Sequence, residues 1–211
     1  CNTGEIDMTF CKGAFTTNES DIKMIRGANL NRYVVKETMS QGEVFHINKE
    51  RLLAIKKLDD SLFSKPRIVM QGITGVNEHV RLKMAISKNA LCANSVNYLS
   101  FNSNVNVLYM LGLLNSKLLN YVFKQFSTNS NVNGYEVDNL PIPNTTEEKQ
   151  RSISTIVKEI LVHKEKEELS DTSHLEKQID FFVYHLYGLT YDEVLIVDPE
   201  TPITQEEYEK Y

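Results

Sequence analysis

The sequence predicts an α+β fold, a mostly antiparallel sheet with packed helices, followed by a C-terminal helical hairpin. Three observations carry this expectation. Residues His79 to Ile86 alternate with period two, the mark of a half-buried strand. From Leu108 to Phe126 apolar residues recur at spacings of three and four, as on a buried helix face. Three S/T-x-x-E boxes, Thr145 with Glu148, Thr190 with Glu193 and Thr204 with Glu207, mark helix starts in the last third.

In chain order, the first 33 residues are polar and turn-rich, with strand edges at Ile22–Ile25 and Tyr33–Val35. Glu43 to Ile47 is a short β-prone run, and Asn48 can cap a helix carrying Leu52, Leu53 and Ile55. Pro66 opens a strand, Arg67 to Met70, and Gly72 and Gly75 punctuate the loop after it. In the strand that follows, Val80, Leu82, Met84 and Ile86 face one way, while Arg81, Lys83 and Ala85 face an open side. Ala90 to Phe101 completes a meander. Asn104 or Asn106 then caps one helix of about five turns, inside which Gly112 points to a close packing contact. Ser127 to Gly134 is an Asn-rich loop, and Leu140-Pro-Ile-Pro143 leaves it extended. Two long amphipathic helices follow as an αα-hairpin, the second stopped by Gly188. Two parts are therefore expected, an α+β body over 1–144 and an acidic helical segment over 145–211 that packs on the body or on another domain.

Composition bounds the function. The chain has 211 residues, 41% hydrophobic and 24% charged, which suits a folded globular protein and excludes a disordered one. The best apolar run, Val105 to Leu114, is about half of the ~20 residues a membrane span needs. The chain starts at Cys1, not Met, and no secretory h-region follows, so a piece of a larger polypeptide is expected. Cys1, Cys11 and Cys92 lack CxxC spacing and suggest a reducing compartment without disulfide or zinc.

The catalytic motifs fail one by one. The five histidines show no HxxxH or HExxH spacing, and GxGxxG, P-loop and GxSxG patterns are absent. Asp138, Glu147 and Lys149 come nearest to a nuclease set, but they lie in a Pro-containing linker and a helix cap. No catalytic residue, metal ligand or cofactor-binding residue is expected.

Charge is more informative. Residues 1–144 hold 16 Lys+Arg against 12 Asp+Glu, a net of +4, and 145–211 hold 7 against 16, a net of −9. Between Ser61 and Tyr135 seven cations meet one acid, Glu78. Such a stretch can approach phosphates without repulsion, or it is simply a solvated basic face.

Several segments, in order, resemble one family. Ile25-Arg-Gly-Ala-Asn-Leu-Asn-Arg-Tyr33 is similar to a recurring "RG-x-(D/N)-I-x-RY" element, and Lys65-Pro-Arg-Ile-Val69 resembles the "KP-(K/R)-I" strand opening. Leu108-Tyr-Met-Leu-Gly-Leu-Leu-Asn-Ser-Lys117 looks like the "YLLGILNSK" helix, and Leu140-Pro-Ile-Pro143 like the "L-P-I-P" exit. Leu175 to Asp180 and Val183 to Thr190 resemble the "LE-x-x-ID-x-x-VY-x-LYGLT" terminus. Together they resemble the TaqI-like C-terminal specificity domain, the target-recognition domain of type II restriction–modification enzymes that methylate adenine N6. The ends of type I specificity subunits look similar too. The resemblance implies double-stranded DNA as partner and a prokaryotic cytoplasmic location. It also implies a catalytic domain of the same polypeptide, binding S-adenosylmethionine and carrying an Asn-Pro-Pro-Tyr motif. Neither that motif nor the cofactor motif occurs here; Asn144 stands between Pro143 and Thr145. This chain is thus expected to lack methyltransferase activity, whether or not the parent also cuts DNA.

Residues and resemblance together place DNA against the sheet. Arg26, Arg32, Arg67, Arg81 and Lys83 are expected to contact phosphates, or in part guanine O6 and N7. Gln71, Thr74 and Asn77 in one loop, and Asn129, Asn131 and Asn133 in the other, are expected to read base edges, since amides suit adenine. Plain turn chemistry is the competing explanation for each loop residue. Two other roles stay open: half of a type I specificity subunit, or a helical protein-interaction module in which the basic stretch is incidental.

Overall fold

The computed structural model describes residues 1–37 and 45–210, with the backbone alone at 62 and 63. Among the described residues ten strands form: β1 (Asn2–Thr3), β2 (Phe15–Thr16), β3 (Ile22–Ile25), β4 (Leu30–Asn31), β5 (Val34–Val35), β6 (His46–Ile47), β7 (Arg67–Gln71), β8 (Met84–Ser87), β9 (Ala90–Cys92) and β10 (Val96–Leu99). The α-helices are α1 (Lys49–Ile55), α2 (Ser61–Ser64), α3 (Val107–Leu114), α4 (Lys117–Phe126), α5 (Gly134–Asp138), α6 (Glu147–Lys166), α7 (Ser173–Leu186), α8 (Tyr191–Val197) and α9 (Gln205–Glu209). The fold is α+β with mostly antiparallel pairing, as the sequence predicts.

The first sheet runs β1-β10-β7-β8, antiparallel throughout. The second runs β2-β6-β3-β9. Its β9 pairs in parallel with β3, so Ala90 to Phe101 is split between two sheets and does not form a meander. Glu43 and Val44 of the β-prone run lie outside the described residues; His46 and Ile47 pair with both β2 and β3.

The first sheet is covered on both sides. Ile68, Met70 and Met84 join the cluster built with the helices. Val69, Ala85, Val96 and Tyr98 join the cluster shared with Ile25, Ala90 and Cys92 of the second sheet. Successive side chains of one strand thus meet different layers. This overturns the open face expected for Arg81, Lys83 and Ala85. Ala85 is fully buried, and the strand begins only at Met84. The segment before it takes its hydrogen bonds from a helix side chain: Asn120 Oδ1 accepts from the amides of Arg81 (2.8 Å) and Leu82 (3.2 Å), and Asn120 Nδ2 donates to the His79 carbonyl (2.8 Å). An amide side chain here satisfies the backbone that a neighbouring strand would otherwise pair.

The single five-turn helix expected over 106–126 is two helices. Asn106 caps α3, and Ser116 caps α4 by accepting from the Leu119 amide at 3.3 Å. Between them Asn115 behaves as one more strand residue. Its Oδ1 accepts from the Met84 amide at 3.1 Å and its Nδ2 donates to the Met84 carbonyl at 2.9 Å. The break therefore ties the helices to β8.

The α6–α7 hairpin packs on this pair. Ile153, Val157, Ile179 and Val183 share one cluster with Leu111, Phe123 and Met70. The α6 cap is Thr146, one residue later than Thr145, and its hydroxyl accepts from the Lys149 amide. Glu147 and Glu148 still occupy the first turn, where the helix dipole favours them. Both later boxes, Thr190 with Glu193 and Thr204 with Glu207, close as expected. Gly188 ends α7 at φ +68°, where a side chain would be strained.

Two outcomes test this packing. A Cβ built on Gly112 would lie 2.6 Å from Cγ2 of Ile153 and 2.9 Å from Cγ2 of Val157. Gly112→Val should therefore lower stability by about 1–3 kcal/mol in urea unfolding through overpacking; an unchanged midpoint would mean α3 and α6 stand further apart. The second concerns Asp180, buried where α7 meets α4. Its Oδ1 accepts from the Lys117 amide at 2.8 Å. Burial pushes its pKa up to about 6, against the pull of Arg32 and of Lys117, with nearby Asp198 adding to the rise. The native state then keeps a proton that the unfolded chain has released. Stability should fall as pH rises from about 4 to about 6 and level off above. Asp180→Asn should remove that slope from urea titrations; identical pH profiles for the two proteins would contradict the assignment.

Candidate nucleic-acid interface

The structure gathers its exposed loops at one end of the first sheet, where β7 stops and β10 starts. The Gly72 amide donates to the Ser95 carbonyl (2.9 Å), and the Gly27 amide donates to Ser95 Oγ (3.0 Å). Three backbone segments, 26–28, 71–73 and 94–96, converge on Ser95. A Cβ on Gly27 would lie 2.8 Å from its carbonyl oxygen, so this approach needs glycine.

The Asn-rich loop joins the same edge. The Thr74 amide donates to the Ser130 carbonyl (2.8 Å), and the Val132 amide donates to the Gly72 carbonyl (2.9 Å). These bonds frame an antiparallel bridge between Ile73 and Asn131. Asn97 Nδ2 adds a bond to the Val132 carbonyl at 2.6 Å. The two loops named as base-reading candidates therefore form one unit.

Arg81 lies beneath it, 1% exposed. Its guanidinium donates to Thr74 Oγ1 (3.2 Å), to the Ser127 carbonyl and hydroxyl (both 3.1 Å), and to the carbonyls of Asn129 (2.7 Å) and Asn131 (3.2 Å). It has no ion-pair partner among the described residues. Burial lowers its pKa, and Glu136 works against that. Glu136 reaches it through a relay: the Ser127 hydroxyl and the Asn133 amide both donate to Glu136 Oε2, each at 3.1 Å. The Phe123 ring covers the guanidinium, 5.1 Å from its carbon. The phosphate contact expected of Arg81 is thereby corrected, because every edge of the fork is turned inward.

Arg67 is corrected in the same way. It is 2% exposed and pairs with Glu5 at 2.7 Å, under the Tyr98 ring. It also approaches Cys92 Sγ at 3.2 Å. Burial pushes the Cys92 thiol up to about 12, although Arg67 pulls it the other way. Arg32 fastens the helices instead of facing solvent. It donates to the Asn115 carbonyl (2.6 Å) and pairs with Glu176 (3.0 Å). Burial alone would lower its pKa, but Tyr33, Glu176 and Asp180 hold it above its ordinary value.

The other expected residues fall at the edge. Arg26 is half-buried and has no ion-pair partner among the described residues. Gln71 ends β7 beside Gly27, and Asn77 is exposed. Asn129 is exposed, but its Oδ1 accepts from the Asn131 amide at 2.8 Å, an Asx turn. Asn131 is exposed, and its carboxamide makes no hydrogen bond among the described residues. Asn133 caps α5, and Thr74 is buried against Arg81, so both serve the loop itself. Lys83 is half-buried, 3.6 Å from Glu78.

Sequence reasoning missed Ile73, which is 57% exposed on the bridge, and Lys124, which shares a groove of about 520 Å³ with His79. An apolar residue between Gly72 and Thr74 reads as a turn, and Lys124 reads as the end of a buried helix. The +6 stretch also shrinks. Arg67 and Arg81 are engaged inside the protein, and the half-exposed Lys117 is paired with Asp198 at 2.6 Å. Lys65 and Lys88 lie by the Arg67–Ser87 end of the sheet, away from the loops. Of the stretch, Lys124 is left as an exposed cation without an ion pair among the described residues, and half-buried Arg26, from outside the stretch, joins it near the edge. No group of three His, Cys, Asp or Glu side chains is placed to hold a metal among the described residues. No described helix is long and apolar enough to cross a membrane.

No curated protein matches the sequence. Among solved structures, a chain from the "Structure of Type IIL restriction-modification enzyme MmeI in complex with DNA" superposes with a TM-score of 0.62 at 12% identity, which shows a shared fold. That likeness covers 99% of this chain and 35% of the other, so the present chain spans about a third of its neighbour. The sequence model of the TaqI-like C-terminal specificity domain matches residues 22–142. That span is more than half of the chain and contains the sheet end, both loops and Arg81, so the chain belongs to the TaqI-like C-terminal specificity domain family.

Proposed function

We propose that this chain recognises double-stranded DNA for a restriction–modification enzyme, with the joined 72–79 and 127–133 loops as its reading edge. One observation carries the reading: two amide-bearing loops are held rigidly together at an exposed sheet end, within the family's matched span. Backbone pinned by protein hydrogen bonds can present side chains to a groove without first paying the ordering entropy of a free loop.

In this reading the body over 1–144 contacts DNA, and the acidic segment over 145–211 supports it and faces a catalytic domain of the same polypeptide. That domain would be an adenine-N6 methyltransferase and would hold S-adenosylmethionine; the residues gathered at the sheet end are backbone acceptors, amides and a buried guanidinium, which do not form a cofactor cradle. No chemical step is assigned to this chain. The prokaryotic cytoplasm is the compartment that suits such an enzyme.

The engaged cations set the expected strength. Few phosphates can be neutralised, so log affinity for a fluorescent duplex should fall with log salt only by a slope of about −0.9 per contact, summed over a few contacts. Arg26→Ala and Lys124→Ala should each make that slope shallower by about 0.9, whereas Lys88→Ala, at the far end of the sheet, should leave it unchanged. Affinity independent of salt, or an equal response to Lys88→Ala, would contradict the assignment of the edge.

A further inference from the structure

Ile73 and Asn131 face each other across the bridge that joins the two loops. The bonds on either side, Thr74 to Ser130 and Val132 to Gly72, make this a non-hydrogen-bonded antiparallel pair. In such pairs the Cα atoms stand about 4.5 Å apart and both side chains leave the same face. Here both are exposed. A β-branched hydrophobe and an unengaged carboxamide are thus presented side by side on fixed backbone.

Their chemistry is complementary to one base pair. A carboxamide can accept from adenine N6 and donate to N7, and an aliphatic side chain suits the thymine C5 methyl in the same groove. Neither group matches the paired acceptors of guanine. Arg81 supplies the fixity. It bonds both loops at once, Thr74 on one side and the Ser127, Asn129 and Asn131 carbonyls on the other. Because it has no ion-pair partner among the described residues, those backbone acceptors stabilise its charge directly, and their geometry is the one that does so. The Ser127–Glu136 relay extends the hold to the start of α5.

We propose that Ile73 and Asn131 form a single reading unit for an A·T base pair in the major groove, and that Arg81 is its positioning residue, buried under the loops and never in contact with DNA. This rests on the DNA-recognition reading above.

The test is selection of bound duplexes from a randomised library by the full chain, followed by sequencing. The unaltered chain should enrich a motif containing at least one strongly required A·T pair. Ile73→Ala and Asn131→Ala should each relax the preference at that same pair, by about 10- to 100-fold in relative enrichment. Arg81→Gln should blur the motif at the positions read by both loops while leaving the salt slope of binding to bulk duplex unchanged. Where Arg81→Gln does not fold, Ser127→Ala decides, since it cuts the relay to Glu136 and leaves the carbonyl acceptors in place; it should blur the same positions more mildly. Ile73→Ala and Asn131→Ala acting at different positions, or at a G·C pair, would overturn the reading unit. A salt slope shallower by about 0.9 in Arg81→Gln would place the guanidinium on a phosphate and overturn the positioning role. Loss of the DNA-recognition reading itself would look different: the unaltered chain would enrich no motif.

Discussion

The central strand β7 has no free face. Ile68 and Met70 meet the helices, while Val69 meets the second sheet and Arg67 reaches the Ala90 carbonyl and Cys92 of that sheet. This constraint removes the sheet surface as a platform for any partner. What remains exposed is the end of the sheet, where strands stop and the chain must turn. Backbone pairing there shrinks to the short Ile73–Asn131 bridge, and side chains supply much of the rest: Asn120 holds the segment before β8, Asn115 extends β8, and Arg81 gathers the carbonyls of the Asn-rich loop. Each buried polar side chain thereby converts an irregular segment into a defined one.

The same constraint decides the fate of the cations. A guanidinium drawn into a covered sheet must be paired or fully hydrogen-bonded. Arg67 takes the first course with Glu5, and Arg81 the second with backbone carbonyls. Arg32 combines a carbonyl and a carboxylate to lock the break between α3 and α4 onto α7. Three arginines that read in sequence as a phosphate-binding set are internal fasteners. The net charge of a stretch says little about its surface when its strongest charges are the ones best suited to burial in planar, multi-acceptor sites.

Much of the fold was legible from local chemistry. Asn48 caps α1 by accepting from the Arg51 amide at 3.1 Å, Gly188 stops α7, and both later S/T-x-x-E boxes close. Gly112 marked a close helix contact because nothing else accounts for glycine in an apolar helix. What escaped was set by distant partners. Asn115-Ser116 reads as two tolerable helix residues until Met84 is seen to pair with the first. Strict alternation from Val80 to Ile86 reads as a strand until Asn120 is seen to occupy the backbone of its first half. At the candidate site both loops were legible, but not that they are one. Their union depends on a bridge between residues 58 positions apart, Ile73 and Asn131, which no local pattern records.

The most direct test of this account is an amide chemical-shift titration of the isotopically labelled full chain with an unlabelled duplex at low salt. The account predicts that the first and largest shifts fall on Gly72 to Asn77 and Asn129 to Asn131, with smaller ones around Arg26 and Ser95. Shifts centred on the α6–α7 hairpin, or at the Lys65 and Lys88 end of the sheet, would contradict it.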